Sequence, residues 1–148
     1  MQRYSVSLFL QNLISKLFVI IAAIGIADAI YTAYEYATAS FGSCYVNSKI
    51  NCGGVFASGH TSIVGIPFYV FGLIWFSLLL ILVLYFTHWT RLRLRADILL
   101  PLLMIGNIFT VYLWYLELAV IGIICPLCLS LYIVNYALTG LTIYELVL

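Results

Sequence analysis

Between Lys49 and Arg91 the chain carries no formal charge at pH 7, apart from any protonation of His60 or His88. Two further uncharged runs follow: 19 residues between Asp97 and Glu117, and 27 between Glu117 and Glu145. A helical crossing of a bilayer takes about 20 residues. Inside lipid the backbone finds no water, so a crossing segment must satisfy its own hydrogen bonds as a helix or within a closed barrel. A barrel needs many segments of about ten residues with alternating polarity, and none occur in this sequence. The expected fold is therefore all-α, an integral-membrane four-helix bundle.

Composition supports the same conclusion. Hydrophobic residues make up 66% of the 148 and charged ones 7%, against about 45–50% and about 25% in soluble domains. A soluble domain this short could not hide so much apolar surface. The net charge of +1 gives no reason to expect a nucleic acid. The expected spans are 14–37, 65–87, 97–118 and 123–145, followed across one domain, 1–148, with no repeat, low-complexity tract or long linker. The first span has the layout of a secretory signal, with Arg3 and Lys16 before an apolar core. Its aromatic end, "AIYTAYEYA", reads instead as the interfacial end of a retained helix.

Basic residues set the expected orientation. Arg91, Arg93 and Arg95 lie between spans two and three, Arg3 and Lys16 lie near the N-terminus, and the long 38–64 loop holds only Lys49. Positive-inside reasoning places both termini and the arginine loop in the cytoplasm of a multi-pass cell-membrane protein. The loop between helices 1 and 2 and the 119–122 turn then face outside. Asp97 to Glu117 spans about 30 Å, and Lys16 to Glu35 about 28 Å, at the helical rise. Both glutamates therefore fall at the outer interface.

All four cysteines map to that outer side. Cys44 and Cys52 lie in the loop, while Cys125 and Cys128 open the fourth helix as "CPLC". Four cysteines allow three pairings, and spacing alone does not choose among them. Residues i and i+3 share a helix face, so Cys125 and Cys128 can bridge. A sulfur at a helix N-terminus meets free N–H groups and the positive end of the dipole, which favour a thiolate. Pro126 suits the first turn, where its missing N–H costs nothing. Cys128, one turn deeper, meets apolar surroundings. A structural CxxC and a plain loop staple are the unreactive readings. Zinc spacing is not matched, so no metal centre is expected.

The order "CYVNSKINC", "GVFAS", "GIP" and then "CPLC" followed by "LSLY" resembles the vitamin K epoxide reductase family, in its prokaryotic stand-alone form. The resemblance covers roughly residues 14–145. It implies a four-helix membrane bundle around a quinone of the ubiquinone, menaquinone or vitamin K type. It also implies a thiol–disulfide oxidoreductase that takes electrons from a separate thioredoxin-fold partner. On this resemblance Cys44 and Cys52 are the loop shuttle pair, Cys52 exchanges with Cys125, and Cys128 sits beside the quinone. Phe56 and Ser58 match loop positions near the quinone, and Tyr132 matches an aromatic on the quinone-facing wall. DsbB-type oxidases perform the same chemistry with the two pairs in the opposite order.

Three polar residues carry expectations of their own. Asn107 lies about 15 Å into the third helix by helical rise, where an amide must find either a quinone carbonyl or an interhelical partner. Asp28, about 18 Å above Lys16 by the same rise, reads as a structural acid or a proton carrier. His60 reads as a solvated loop residue or a proton relay. Reduction of vitamin K or its epoxide is the alternative activity. A non-enzymatic membrane subunit with structural disulfides is the alternative of another class.

Overall fold

The computed structural model describes residues 2–39, 41–89 and 96–148. The arginine-rich link, Arg91, Arg93 and Arg95, lies outside the described residues. Among the described residues, four helices are long and apolar enough to cross a membrane. α1 covers Gln2–Thr38, α3 covers Phe68–Trp89, α4 covers Ala96–Tyr115 and α5 covers Pro126–Val147. A short helix, α2, covers Cys52–Ala57, and a two-stranded hairpin joins β1 (Ser62–Ile63) to β2 (Ile66–Pro67).

The element boundaries depart from the sequence expectation in three places, each for a local reason. α1 starts at Gln2 rather than near residue 14. Residues 2–13 contain no Pro or Gly, so nothing stops the helix where the hydrocarbon crossing would. α3 starts at Phe68 rather than residue 65, because "GIP" is used by the hairpin. Val64 and Gly65 both take positive φ, 54° and 80°, the conformation of a tight turn whose twist suits antiparallel strands. The third crossing continues past residue 118 as a π-helical segment, Leu116–Ile121. Gly122, at φ 71°, ends it by donating its N–H to the Glu117 carbonyl at 2.8 Å.

α1 packs against α3 and α5, and α4 against α5. The apolar core between them includes Phe18, Phe76, Leu79, Leu99, Leu103 and Leu138. Ile108 and Ile133 are exposed, as expected of helix faces turned to lipid tails. One polar chain ties three helices together near the middle. The Trp75 indole N–H donates to Asn135 Oδ1 at 3.0 Å, Asn135 Nδ2 donates to Asn107 Oδ1 at 2.6 Å, and Asn107 Nδ2 donates to Thr139 Oγ1 at 3.1 Å. Amides buried in this way must pair, because lipid offers no substitute.

Candidate functional site

The cysteines meet because two loops pair as short parallel strands. Ile50 bridges Ile124 in parallel. The Ile124 N–H donates to the Lys49 carbonyl at 2.8 Å, and the Asn51 N–H donates to the Ile124 carbonyl at 3.0 Å. The next residues along are Cys52 and Cys125, and this pairing brings their sulfurs to 3.0 Å. Each then opens a helix. Asn51 caps α2, its Oδ1 accepting the Gly54 N–H at 2.6 Å, while its amide donates to the Asn47 and Ser48 carbonyls. Cys125 itself caps α5, its Sγ accepting the Cys128 N–H at 3.3 Å. Thiol sulfurs are weak acceptors, so this bond matters most when Cys125 carries charge.

Cys44 and Cys52 form a disulfide, with Cα atoms 5.6 Å apart. Cys125 and Cys128 are free thiols. The sulfurs of Cys44, Cys52 and Cys125 all lie within 4.8 Å of one another. These three residues are buried in a small cluster with Val55, against which Phe56, Ile123, Leu127 and Cys128 pack. Cys44 is the member nearest the surface, since the adjoining Tyr45 and Val46 are exposed.

Beside this cluster lies a cavity of about 430 Å³. Its walls come mainly from α3, α4 and α5, with Val55 and Phe56 of α2, and His60 and Thr61 at an exposed edge. Cys128 lines it and Cys125 does not. The lining is apolar and aromatic, including Phe56, Tyr69, Phe71, Trp75 and Phe109. Phe56 is held edge-on by Tyr36 at 5.4 Å between ring centres, and Phe109 is met by Phe68 at 5.8 Å. The few polar groups facing the space are Thr32, Thr110, Glu117, Tyr132 and Asn135, beside His60 and Thr61. A mainly apolar concavity with a few convergent polar atoms is the usual form of a small-molecule site. Its flat aromatic walls, thiol and hydroxyl suit a planar ring that carries carbonyl oxygens.

The expected site residues divide accordingly. Phe56, Cys128 and Tyr132 line the cavity. Ser58 does not: it closes α2, its hydroxyl donating to the Val55 carbonyl at 2.6 Å. Asn107 does not either, because both ends of its amide are engaged between helices, and Asn135 takes the cavity-facing position in that network. Asp28 stands on α1 and does not line the cavity, with Oδ2 buried and without a hydrogen-bond partner. His60 is exposed, its Nδ1 3.0 Å from the Ser58 carbonyl.

Glu117 was read from sequence only as an interfacial acid, and the structure buries it to 3% exposure. Its Oε1 accepts the Tyr132 hydroxyl at 2.6 Å and its Oε2 accepts the Cys125 N–H at 3.3 Å. Cys128 lines the same cavity wall as this carboxylate. Glu117 sits in the π-helical segment, a form that recurs at functional sites. A signal for it existed: it is the one acid between Asp97 and Glu145, and an ionisable residue held inside a membrane bundle usually has a task.

No curated relative matches the chain. The model of the vitamin K epoxide reductase family matches residues 16–143. That match covers nearly the whole chain and takes in the buried sulfur cluster, the cavity and four crossing helices, and the chain accordingly belongs to the vitamin K epoxide reductase family.

Proposed function

We propose that this protein is a membrane thiol–disulfide oxidoreductase that carries electrons from a reduced thioredoxin-fold partner to a quinone, with all four sulfurs on the extracytoplasmic side. Membership of the family supports redox chemistry in a membrane. The observation that carries the finer reading is the line of sulfurs: a Cys44–Cys52 disulfide, Cys125 at 3.0 Å from Cys52, and Cys128 on the cavity wall.

Exchange proceeds by attack of a thiolate on one sulfur of a disulfide. A partner thiolate attacks Cys44, the sulfur nearest the surface, and Cys52 leaves carrying the electron pair. Cys52 then attacks Cys125 of the oxidised CxxC, and Cys128 leaves as a thiolate on the cavity side. The partner's second thiol then attacks its own sulfur bonded to Cys44, so the partner departs oxidised, leaving two protons and a free Cys44 thiolate. Cys44 attacks Cys52, which restores the loop disulfide and releases Cys125 as a thiolate, while Cys128 takes up one of the two protons. The pair of free cysteines so formed, beside an intact Cys44–Cys52 bond, is the arrangement observed. A quinone in the cavity supplies the oxidising power, taking two electrons and two protons as the CxxC disulfide re-forms. Phe56, Tyr69, Trp75, Phe109 and Tyr132 are the residues that would hold its ring.

The partner is a separate chain, and its substrates are thiols of extracytoplasmic proteins, where disulfides persist. The test is turnover of the purified protein in lipid, with a short-tailed quinone and a reduced thioredoxin-fold protein. Wild type forms quinol and Cys128→Ala forms none. Absence of quinol from wild type would refute the reading and favour a structural role for the disulfides.

A further inference from the structure

The Tyr132 hydroxyl has one hydrogen to give. In the structure it gives that hydrogen to Glu117 Oε1 at 2.6 Å, so the hydroxyl can only accept from whatever occupies the cavity. An ionised carboxylate accepts only, whereas a protonated one also donates. If Glu117 gains a proton it donates to the Tyr132 oxygen, and the phenol hydrogen is freed toward the cavity that Tyr132 lines. The same carboxylate accepts the Cys125 N–H at 3.3 Å and shares the cavity wall with Cys128, whose own N–H is bonded to the Cys125 sulfur. It therefore stands between the sulfur that must lose a proton and the hydroxyl that can deliver one.

We propose that Glu117 is the proton-transfer group of this site: its carboxylate takes the thiol proton of Cys128, and in doing so reverses its hydrogen bond to Tyr132 so that the phenol donates into the cavity. This inference rests on the quinone reading above. Re-forming the disulfide from the Cys125 thiolate and the Cys128 thiol releases two electrons and one proton. That proton passes from Cys128 to Glu117, while Tyr132 gives its own hydrogen to the near carbonyl oxygen and is refilled from Glu117. The far oxygen takes the second proton from water at the exposed edge lined by His60 and Thr61. Glu117 and Tyr132 end as they began.

The surroundings favour Glu117 over the other titratable groups. Facing its carboxyl from α5 are Tyr132 and Cys125, with Cys128 on the same cavity wall. Asp28 of α1 is not part of the cavity lining, and its Oδ2 is buried away from the hydroxyl of Tyr132 that Glu117 holds. Tyr69 of α3 and His60 also line the cavity, but Tyr69 packs on Tyr36 and His60 bonds Ser58, away from the reacting sulfurs. Of these groups, Glu117 alone is hydrogen-bonded both into the CxxC turn, through the Cys125 N–H, and to a hydroxyl on the cavity wall.

The test uses binding as well as rate. Fully oxidised protein cannot reduce a quinone, so its affinity for a short-tailed benzoquinone can be measured against pH without turnover. Protonated Glu117 frees the Tyr132 hydrogen for a carbonyl acceptor, so wild-type affinity is highest at low pH and declines as pH rises. Glu117→Gln keeps an amide that donates permanently to Tyr132. It binds the quinone at least as tightly as wild type does at low pH, and its affinity does not change with pH. In single-turnover reduction by the pre-reduced protein its rate falls at least about tenfold, since general acid–base assistance is worth on the order of 10²–10⁴. Tyr132→Phe loses affinity and also loses the pH dependence, which keeps the proposal testable if the Gln variant does not fold. Asp28→Asn, outside the cavity lining, retains the wild-type pH profile. A Glu117→Gln protein that keeps that profile, or reduces quinone at the wild-type rate, overturns the proposal while leaving the quinone reading intact. Wild type that neither binds nor reduces quinone overturns both.

Discussion

Two glycines inside membrane helices should respond to alanine with opposite sign. At Gly106 of α4 a Cβ would stand 2.5 Å from Trp75 Cζ2 and 2.9 Å from Cε2, where ordinary contact begins at 3.4 Å. The indole must therefore shift by about 0.9 Å, the difference between those distances. Its N–H donates to Asn135 Oδ1 at 3.0 Å, and a displacement of that size carries the pair beyond about 3.5 Å, where the bond is lost. Overpacking costs about 1–3 kcal/mol, and an orphaned buried acceptor about 1–3 kcal/mol. Gly106→Ala should therefore lose about 3 kcal/mol, and should also raise KM for quinone, because Gly106, Trp75 and Asn135 all line the cavity. At Gly140 of α5 a Cβ meets nothing within 4 Å. Alanine there should be neutral or stabilising by at most about 1 kcal/mol, the helix-propensity difference between the two residues. Thermal denaturation of both variants in the same detergent, with quinone kinetics alongside, decides the matter. Equal stability and equal KM for the two would refute the packing argument.

The cysteine chemistry gives a second expectation. In Cys44→Ala, once quinone has oxidised the CxxC, the Cys52–Cys125 mixed disulfide should accumulate, read by non-reducing peptide mapping, because the sulfur at 44 that resolves it is no longer present. Asn51→Ala removes the α2 cap and the two bonds to the Asn47 and Ser48 carbonyls. It should cost about 1–2 kcal/mol on the scale of lost caps and slow trapping of that mixed disulfide, while Ser58→Ala, outside the cavity lining, should leave KM for quinone unchanged. Gly122→Ala places a Cβ at φ 71°, costing about 1 kcal/mol, and should lower both thermal stability and exchange rate through its effect on the Cys125 loop. Val46→Cys, exposed beside the disulfide, should react with a membrane-impermeant maleimide from the extracytoplasmic face of intact cells; labelling only after permeabilisation would reverse the proposed orientation.

Much of the fold was legible because the physics behind it is one-dimensional. Uncharged run length marks a crossing whatever its partners are, and Pro126 behind Cys125 marks a helix start. The α1 start was not legible, because hydropathy measures the thickness of lipid and not the length of a helix. The α3 start was misplaced because Val64 gives no hint that it will take a positive φ; only the neighbouring Gly65 does. Within the site, Cys128 and Tyr132 were readable as a pair since i and i+4 share a face. Asn107 and Asn135 both sit in apolar runs at plausible depth, and only the packing of α4 on α5 decides which amide faces the cavity. Glu117 depends on contacts to α5 from a π-helical turn, and the local sequence does not announce such a turn. The pairing of Ile50 with Ile124 joins segments more than seventy residues apart, and nothing in either segment names the other.

Thiol exchange and quinone reduction make opposite demands on their surroundings. Exchange with a soluble partner needs a sulfur at the aqueous surface, whereas a lipid-soluble acceptor needs one against an apolar wall. No single cysteine can meet both demands without either exposing the cavity to water or burying the partner's target. The sequence of contacts divides the work: Cys44 lies beside exposed Tyr45 and Val46, Cys52 and Cys125 are wholly buried and touch only across the paired loops, and Cys128 faces the cavity. On the proposed relay, electrons cross this interval as successive bonds between neighbouring sulfurs, so no charge has to be held unpaired in the dry segment between them. Protons cannot use that route, because a disulfide carries none. They need a separate chain of oxygens, and Glu117 and Tyr132, which share the cavity wall with Cys128, are the proposed chain.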